Sequence, residues 1–174
     1  MELLSQLHPK VVHFPIALLV IYALLETIGV LFKKDFFSKS AHLILFIGIL
    51  GAIAAVLTGN SAVDTVQQLN KTKIIIPIEA ISEHMDYANF TLWYFAGLLV
   101  LRTFVVLKKN FSGSIKYAFV ILSLIGVFLV YKTSEFGGKL VYKYGAGTDL
   151  IKKEINSLSA PASYRDKIFK KKQE

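Results

Sequence analysis

The chain has 174 residues, enough for one domain, of which 54% are hydrophobic and 18% charged, with a mean hydropathy of +0.54. Soluble domains carry about 25% charged residues, so this composition excludes a protein at home in water alone. The absence of cysteine excludes disulfides, iron–sulfur clusters and covalent haem attachment, and the net charge of +8 lies on no aromatic-interleaved basic surface of the kind that binds nucleic acid.

Residues 11–32 form the first apolar run, interrupted only by His13 and Glu26. The run is longer than a signal-peptide core, and Lys33-Lys34-Asp35 follows it in place of a small-residue cleavage motif, so it reads as a retained transmembrane helix. Residues 41–57 form the second run, opened by His42. Within it Gly48, Gly51, Ala52, Ala54 and Ala55 make overlapping small-xxx-small patterns. Such a face serves close helix packing, or gives room to a flat macrocycle beside Gly48 and Gly51. A loop over residues 58–81 follows. Its Ile74-Ile75-Ile76-Pro77-Ile78 is too apolar for a free linker and is expected along the interface or over the bundle mouth.

Residues 88–107 form the third run, with Arg102 inside it. Ile81-Ser82-Glu83-His84 reads as a helix start with Ser82 as N-cap, which places His84 in the first turn. Residues 115–131 form the fourth run. In the tail, Gly137-Gly138 and Gly145-Ala146-Gly147 read as turns around a short extended piece, and residues 149–158 fit an amphipathic helix. Each run approaches the ~20 residues that cross a bilayer, and none alternates with period two, which excludes a β-barrel. The expected fold is all-α: an integral membrane four-helix bundle over residues 1–148, with a basic C-terminal tail over 149–174.

The short connections 33–40 and 108–114 share one membrane side, side B; the first carries three lysines and the second two, with Lys116 just beyond it. The positive-inside rule puts side B in the cytoplasm, with the N-terminus, the long loop and the tail on side A, which in a bacterial inner membrane is the periplasmic side.

Ionisable groups at membrane depth are costly and mark candidate sites. His13 and His84 fall at one level near side A on parallel helices, the arrangement that bis-histidine haem ligation requires. His8 is a possible alternative ligand, and His42 lies at the opposite end, where only a second site would use it. Glu26 lies six residues before Phe32 and Arg102 six before Lys108, both roughly 9 Å deep, and they are expected to pair. Glu79, Glu83, His84 and Asp86, with His8 and His13 nearby, form a carboxylate–imidazole group suited to zinc, copper or iron. No nucleophile elbow or phosphate-cradling glycine loop is present.

The stretch His8-Pro9-Lys10-Val11-Val12-His13-Phe14-Pro15-Ile16-Ala17-Leu18-Leu19 resembles a bacterial family of predicted four-span membrane proteins, domain of unknown function 2231. The resemblance continues through Thr58-Gly59-Asn60 with Asp64, His84, and Gly138-Lys139-Leu140-Val141-Tyr142-Lys143-Tyr144-Gly145-Ala146-Gly147, so it covers residues 8–148. Many relatives carry histidine where this chain has Tyr144. The family is similar to four-helix membrane cytochromes that hold haem b between helices, and some members stand beside periplasmic cytochrome domains. The resemblance therefore implies redox work on the outer face.

Three readings of function follow. The first is an electron-transfer subunit rather than a stand-alone enzyme, with one haem b on His13 and His84. Its partners would be quinone, a periplasmic cytochrome, or a larger respiratory or photosynthetic complex. The second is a cofactor-free accessory or scaffold subunit, and the third a metal-handling or small-solute transport protein.

Overall fold

A computed structural model describes residues 2–70, 76–108 and 110–148. It contains α1 (Glu2–Val11), α2 (His13–Leu31), α3 (Asp35–Asn70), α4 (Ile78–Leu107) and α5 (Ser114–Tyr142), and no strand among the described residues. Four stretches are long and apolar enough to cross a membrane: Gln6–Leu31, Asp35–Asp64, Ile78–Leu107 and Ser114–Tyr142. These are the four expected spans, each extended at its side-A end. Polar residues such as His8, Asn60, Glu83 and Glu135 close an apolar window without ending a helix.

α1 and α2 form one span. The helix is interrupted at Val12, yet the backbone there stays right-handed helical, with φ −61° and ψ −30°. The Val12 amide donates to the His8 carbonyl at 3.1 Å and the Ile16 amide to the Val12 carbonyl at 3.4 Å. The interruption has a local cause: Pro15 has no N–H to give the Val11 carbonyl.

α2 packs against α3 and α5, and α4 packs against the same two helices. α2 and α4 therefore run parallel and face each other across the bundle diagonal, so their inward residues meet on the axis. Tyr22 of α2 and Phe95 of α4 meet there edge to face, 6.3 Å apart, and both are fully buried. α1 lies against α3. Phe14, Leu24, Leu50, Trp93, Val100 and Phe128 point outward, each more than half exposed. An apolar surface of this kind suits lipid, where helices with internally satisfied backbones are the stable spanning element.

The small residues of α3 serve close packing. A Cβ on Gly48 would stand 2.9 Å from Leu19 Cδ2, and one on Gly51 would stand 3.2 Å from Phe14 Cδ1 and 3.4 Å from Pro15 Cδ. Side chains of α2 thus fill the space beside both glycines, where room for a macrocycle was one expectation.

Three local expectations are corrected, the first being the loop over residues 58–81, since 58–70 continue α3 and 78–81 open α4. Ser82 is not an N-cap, because α4 starts at Ile78 and His84 lies in its second turn. Pro77 precedes the helix with ψ 126°, and its missing N–H is no loss at a helix start. Gly137 and Gly138 are helical, since α5 continues to Tyr142. The turn comes later, where Gly145 and Gly147 take φ of 69° and 74°. Of the isoleucine-rich segment, Ile76 is buried and Ile78 exposed; Ile74 and Ile75 lie outside the described residues, as does the tail from 149, including the expected helix 149–158.

Candidate functional site

At the side-A end, the ring that meets His84 belongs to His8. Their centroids are 6.5 Å apart, with the planes inclined by 69°. His13, expected as the partner, is exposed. The reason is helical phase: five residues at about 100° each set His13 roughly 140° around the helix from His8. The register that packs α1 against α3 turns His8 inward and His13 outward.

Each imidazole is held by the neighbouring helix. The Thr58 hydroxyl donates its one proton to the carbonyl of Ala54 (2.9 Å) or Ala55 (3.0 Å). With that proton on either carbonyl, the hydroxyl accepts from His8, whose Nδ1 lies 3.1 Å away. The Thr133 carbonyl can only accept, so the 3.1 Å contact from His84 also requires a proton on Nδ1. Thr133 is fixed in turn, its hydroxyl donating to the Leu129 carbonyl at 3.0 Å and accepting from Thr91 at 2.9 Å.

A neutral His84 is thus the Nδ1–H tautomer with an unprotonated Nε2, and His8 takes the same tautomer when the Thr58 proton lies on the Ala54 or Ala55 carbonyl. Neither Nε2 has a hydrogen-bond partner among the described residues. Donation of one ring N–H to an oxygen, leaving the other nitrogen basic, is the state of a metal-ligating histidine. The rings rest on glycines: a Cβ on Gly59 would stand 3.0 Å from His8 Cε1, and one on Gly137 would stand 3.0 Å from His84 Cε1. No group of three or more His, Cys, Asp or Glu side chains comes together among the described residues. The acidic cluster of Glu79, Glu83 and Asp86 therefore does not close around the histidines.

A second cluster lies on the same axis toward side B. Arg102 and Glu26, 1% and 0% exposed, form the expected ion pair at 2.5 Å. The same Arg102 nitrogen donates to the Ser38 carbonyl at 3.0 Å and its hydroxyl at 3.1 Å. The other terminal nitrogen donates to His42 Nδ1 at 3.0 Å. His42 in turn offers its Nε2 proton to the Thr103 hydroxyl at 3.4 Å, the hydroxyl's own proton being given to the Leu99 carbonyl. The Phe111 ring closes the cluster, 4.7 Å from the guanidinium carbon. His42 thus belongs to the ion-pair cluster.

Sequence reasoning found Glu26, Arg102 and His84, and held His8 as an alternative. It missed Thr58, Gly59, Thr133 and Gly137 as holders of the rings, although Thr58-Gly59 and Gly138 onward lay within the stretches that carry the family resemblance. Their signal was spacing from the histidine on the neighbouring helix, which exists only once the helices are paired.

No curated protein and no solved structure matches the chain. A family model described as "Predicted membrane protein (DUF2231)" matches residues 5–150, and the chain belongs to that family.

Proposed function

We propose that the protein is a membrane-bound electron-transfer subunit that holds one b-type haem between His8 and His84. The observation that carries this reading is the pair of inward imidazoles, 6.5 Å apart, each held at Nδ1 by an oxygen of the neighbouring helix. A metal about 2.0–2.1 Å from each of two imidazole nitrogens sets the ring centroids roughly 6 Å apart. The donor count favours haem over a bare ion. Zinc or copper takes three or four protein ligands, whereas a porphyrin brings four nitrogens and asks the protein for two. Bound haem would supply one-electron chemistry. The chain's own contribution is to fix both tautomers, seat both rings on glycine and keep water from the axis with buried apolar side chains below. The lysines of 33–40 and 108–114 put side B in the cytoplasm, so the histidine pair faces the periplasmic side, within reach of a periplasmic cytochrome or quinone.

The test is a dithionite-reduced minus oxidised spectrum of the detergent-purified protein, expressed with ample haem. A b-type α-band is expected in the wild type and in His13→Ala, and should disappear in His8→Ala and His84→Ala. A colourless wild type, or a band that survives both inward replacements, overturns the assignment.

A further inference from the structure

His84 lies 76 positions after His8, and the same interval relates four pairs of buried residues on the two parallel spans. Pro15 and Thr91, Leu19 and Phe95, Tyr22 and Leu98, and Glu26 and Arg102 are all buried and all 76 apart. On the other two spans the interval is 78, relating Ala41 to Phe119, Leu45 to Ser123, Gly48 to Gly126 and Gly59 to Gly137. The change falls at side B, where the connection 108–113 is longer than 32–34.

The contacts repeat with the positions. The Leu19 side chain packs on Gly48 as Phe95 packs on Gly126, and the His8 ring rests on Gly59 as the His84 ring rests on Gly137. The carbonyl beside His8 belongs to Ala55 and that beside His84 to Thr133, again 78 apart. Helix pairing obeys the same operation, since α2 and α4 occupy one diagonal and α3 and α5 the other.

We propose that the chain is a tandem duplication of a two-helix unit, and that each copy positions one imidazole of the side-A site by the same device. The device is a glycine under the ring, Gly59 or Gly137, and an oxygen on the partner helix that takes the Nδ1 proton. In the first copy that oxygen is the Thr58 hydroxyl backed by the Ala54 and Ala55 carbonyls, and in the second it is the Thr133 carbonyl. The pair then stands on a pseudo-two-fold axis along the bundle. A site of this symmetry takes a centre that accepts two equivalent nitrogen lone pairs, a metal ion or metalloporphyrin, in preference to an asymmetric organic guest. This last step rests on the reading of His8 and His84 as ligands.

The axis also explains the lower cluster. Equivalent positions of an exact two-fold pair would hold like charges, which cannot both be buried ionised. Duplication within one chain lets position 26 be an acid and position 102 a base.

The full-length protein, with ¹⁵N-labelled histidine and in detergent without haem, tests the device directly. Both inward histidines are expected as Nδ1–H tautomers, assigned by their loss in His8→Ala and His84→Ala. Gly59→Ala should move only the His8 resonances and Gly137→Ala only those of His84. Each should also weaken haem retention by about 10- to 100-fold, the usual loss when a ligand's support is disturbed. Gly97→Ala is the control, because nothing lies within 4 Å of a Cβ there. An Nε2–H tautomer at either histidine, or one glycine variant silent while the other is disruptive, overturns the proposal. A colourless wild type with both tautomers as expected would sink the haem reading and leave the duplicated device standing.

Discussion

Replacing Arg102 by leucine should destabilise the bundle by about 3–5 kcal/mol, the range found when one partner of a buried ion pair is removed. The guanidinium joins Glu26 of α2, Ser38 and His42 of α3 and the Phe111 ring of the connection before α5. Leucine keeps the apolar bulk and loses every one of those bonds. Glu26, 0% exposed, is then left without its cation, and its other oxygen has no hydrogen-bond partner to begin with. The damage lies mostly in that stranded acid. Adding Glu26→Gln to Arg102→Leu should therefore recover a large part of the loss, even though it removes a second native group.

Unfolding of the purified variants by a denaturing detergent, measured by circular dichroism, reads both effects. An Arg102→Leu protein within 1 kcal/mol of the wild type, or a double variant no better than the single one, would show that the cluster does not hold the helices. The side-A site provides an internal control. His84 and Arg102 are 18 residues apart on one helix, or about 27 Å, so any haem spectrum should survive in the folded fraction of Arg102→Leu.

The comparison of sequence and structure divides along a physical line. Span number, direction and the Glu26–Arg102 pairing were legible because they depend on hydropathy and depth, which are counted along one helix at a time. A lone charge in hydrocarbon is so unfavourable that two opposite ones at the same depth have few arrangements open to them. The histidine pair needed a further quantity, the rotation of the first helix about its own axis. His8 and His13 are both plausible by depth, and only the face of α1 and α2 that packs on α3 and α5 decides between them. The holders of the rings lay further still from view. Thr58 is an ordinary polar residue at the end of an apolar run, and Gly137-Gly138 has the composition of a turn. Position 137 is a helical glycine, and the His84 ring occupies the space a side chain would need there. The repeat was present as equal intervals, but few identities mark it, among them Thr27 with Thr103 and Ile47-Gly48 with Ile125-Gly126.

The duplicated glycines respond differently to one added methyl group, and this yields the second large effect. At Gly126 a Cβ would overlap the Phe95 ring, meeting Cζ and lying 2.8 Å from Cε1. Phe95 is fully buried and braced edge to face by Tyr22, and by Tyr94 at 5.7 Å. A rigid ring so enclosed has no empty rotamer to enter, so α4 and α5 must move apart. Gly126→Ala should then cost toward the upper end of the roughly 1–3 kcal/mol typical of an overpacked core, or more. At Gly48 the nearest atom is the Leu19 Cδ2 methyl at 2.9 Å, the free end of a flexible side chain. Rotation about one bond moves that methyl, and the next atoms, Leu19 Cγ at 3.3 Å and Leu18 Cβ at 3.4 Å, need give by only a few tenths of an ångström. Gly48→Ala should therefore cost less than Gly126→Ala, about 1 kcal/mol, with the better helix propensity of alanine offsetting part of it. Pairing Gly126→Ala with Phe95→Leu tests the cause. If the ring is the obstacle, the double variant should be more stable than Gly126→Ala alone, although Phe95→Leu by itself removes buried volume. Equal losses at the two glycines, or no relief from the smaller side chain, would mean that backbone packing between helices sets the limit and the aromatic ring does not.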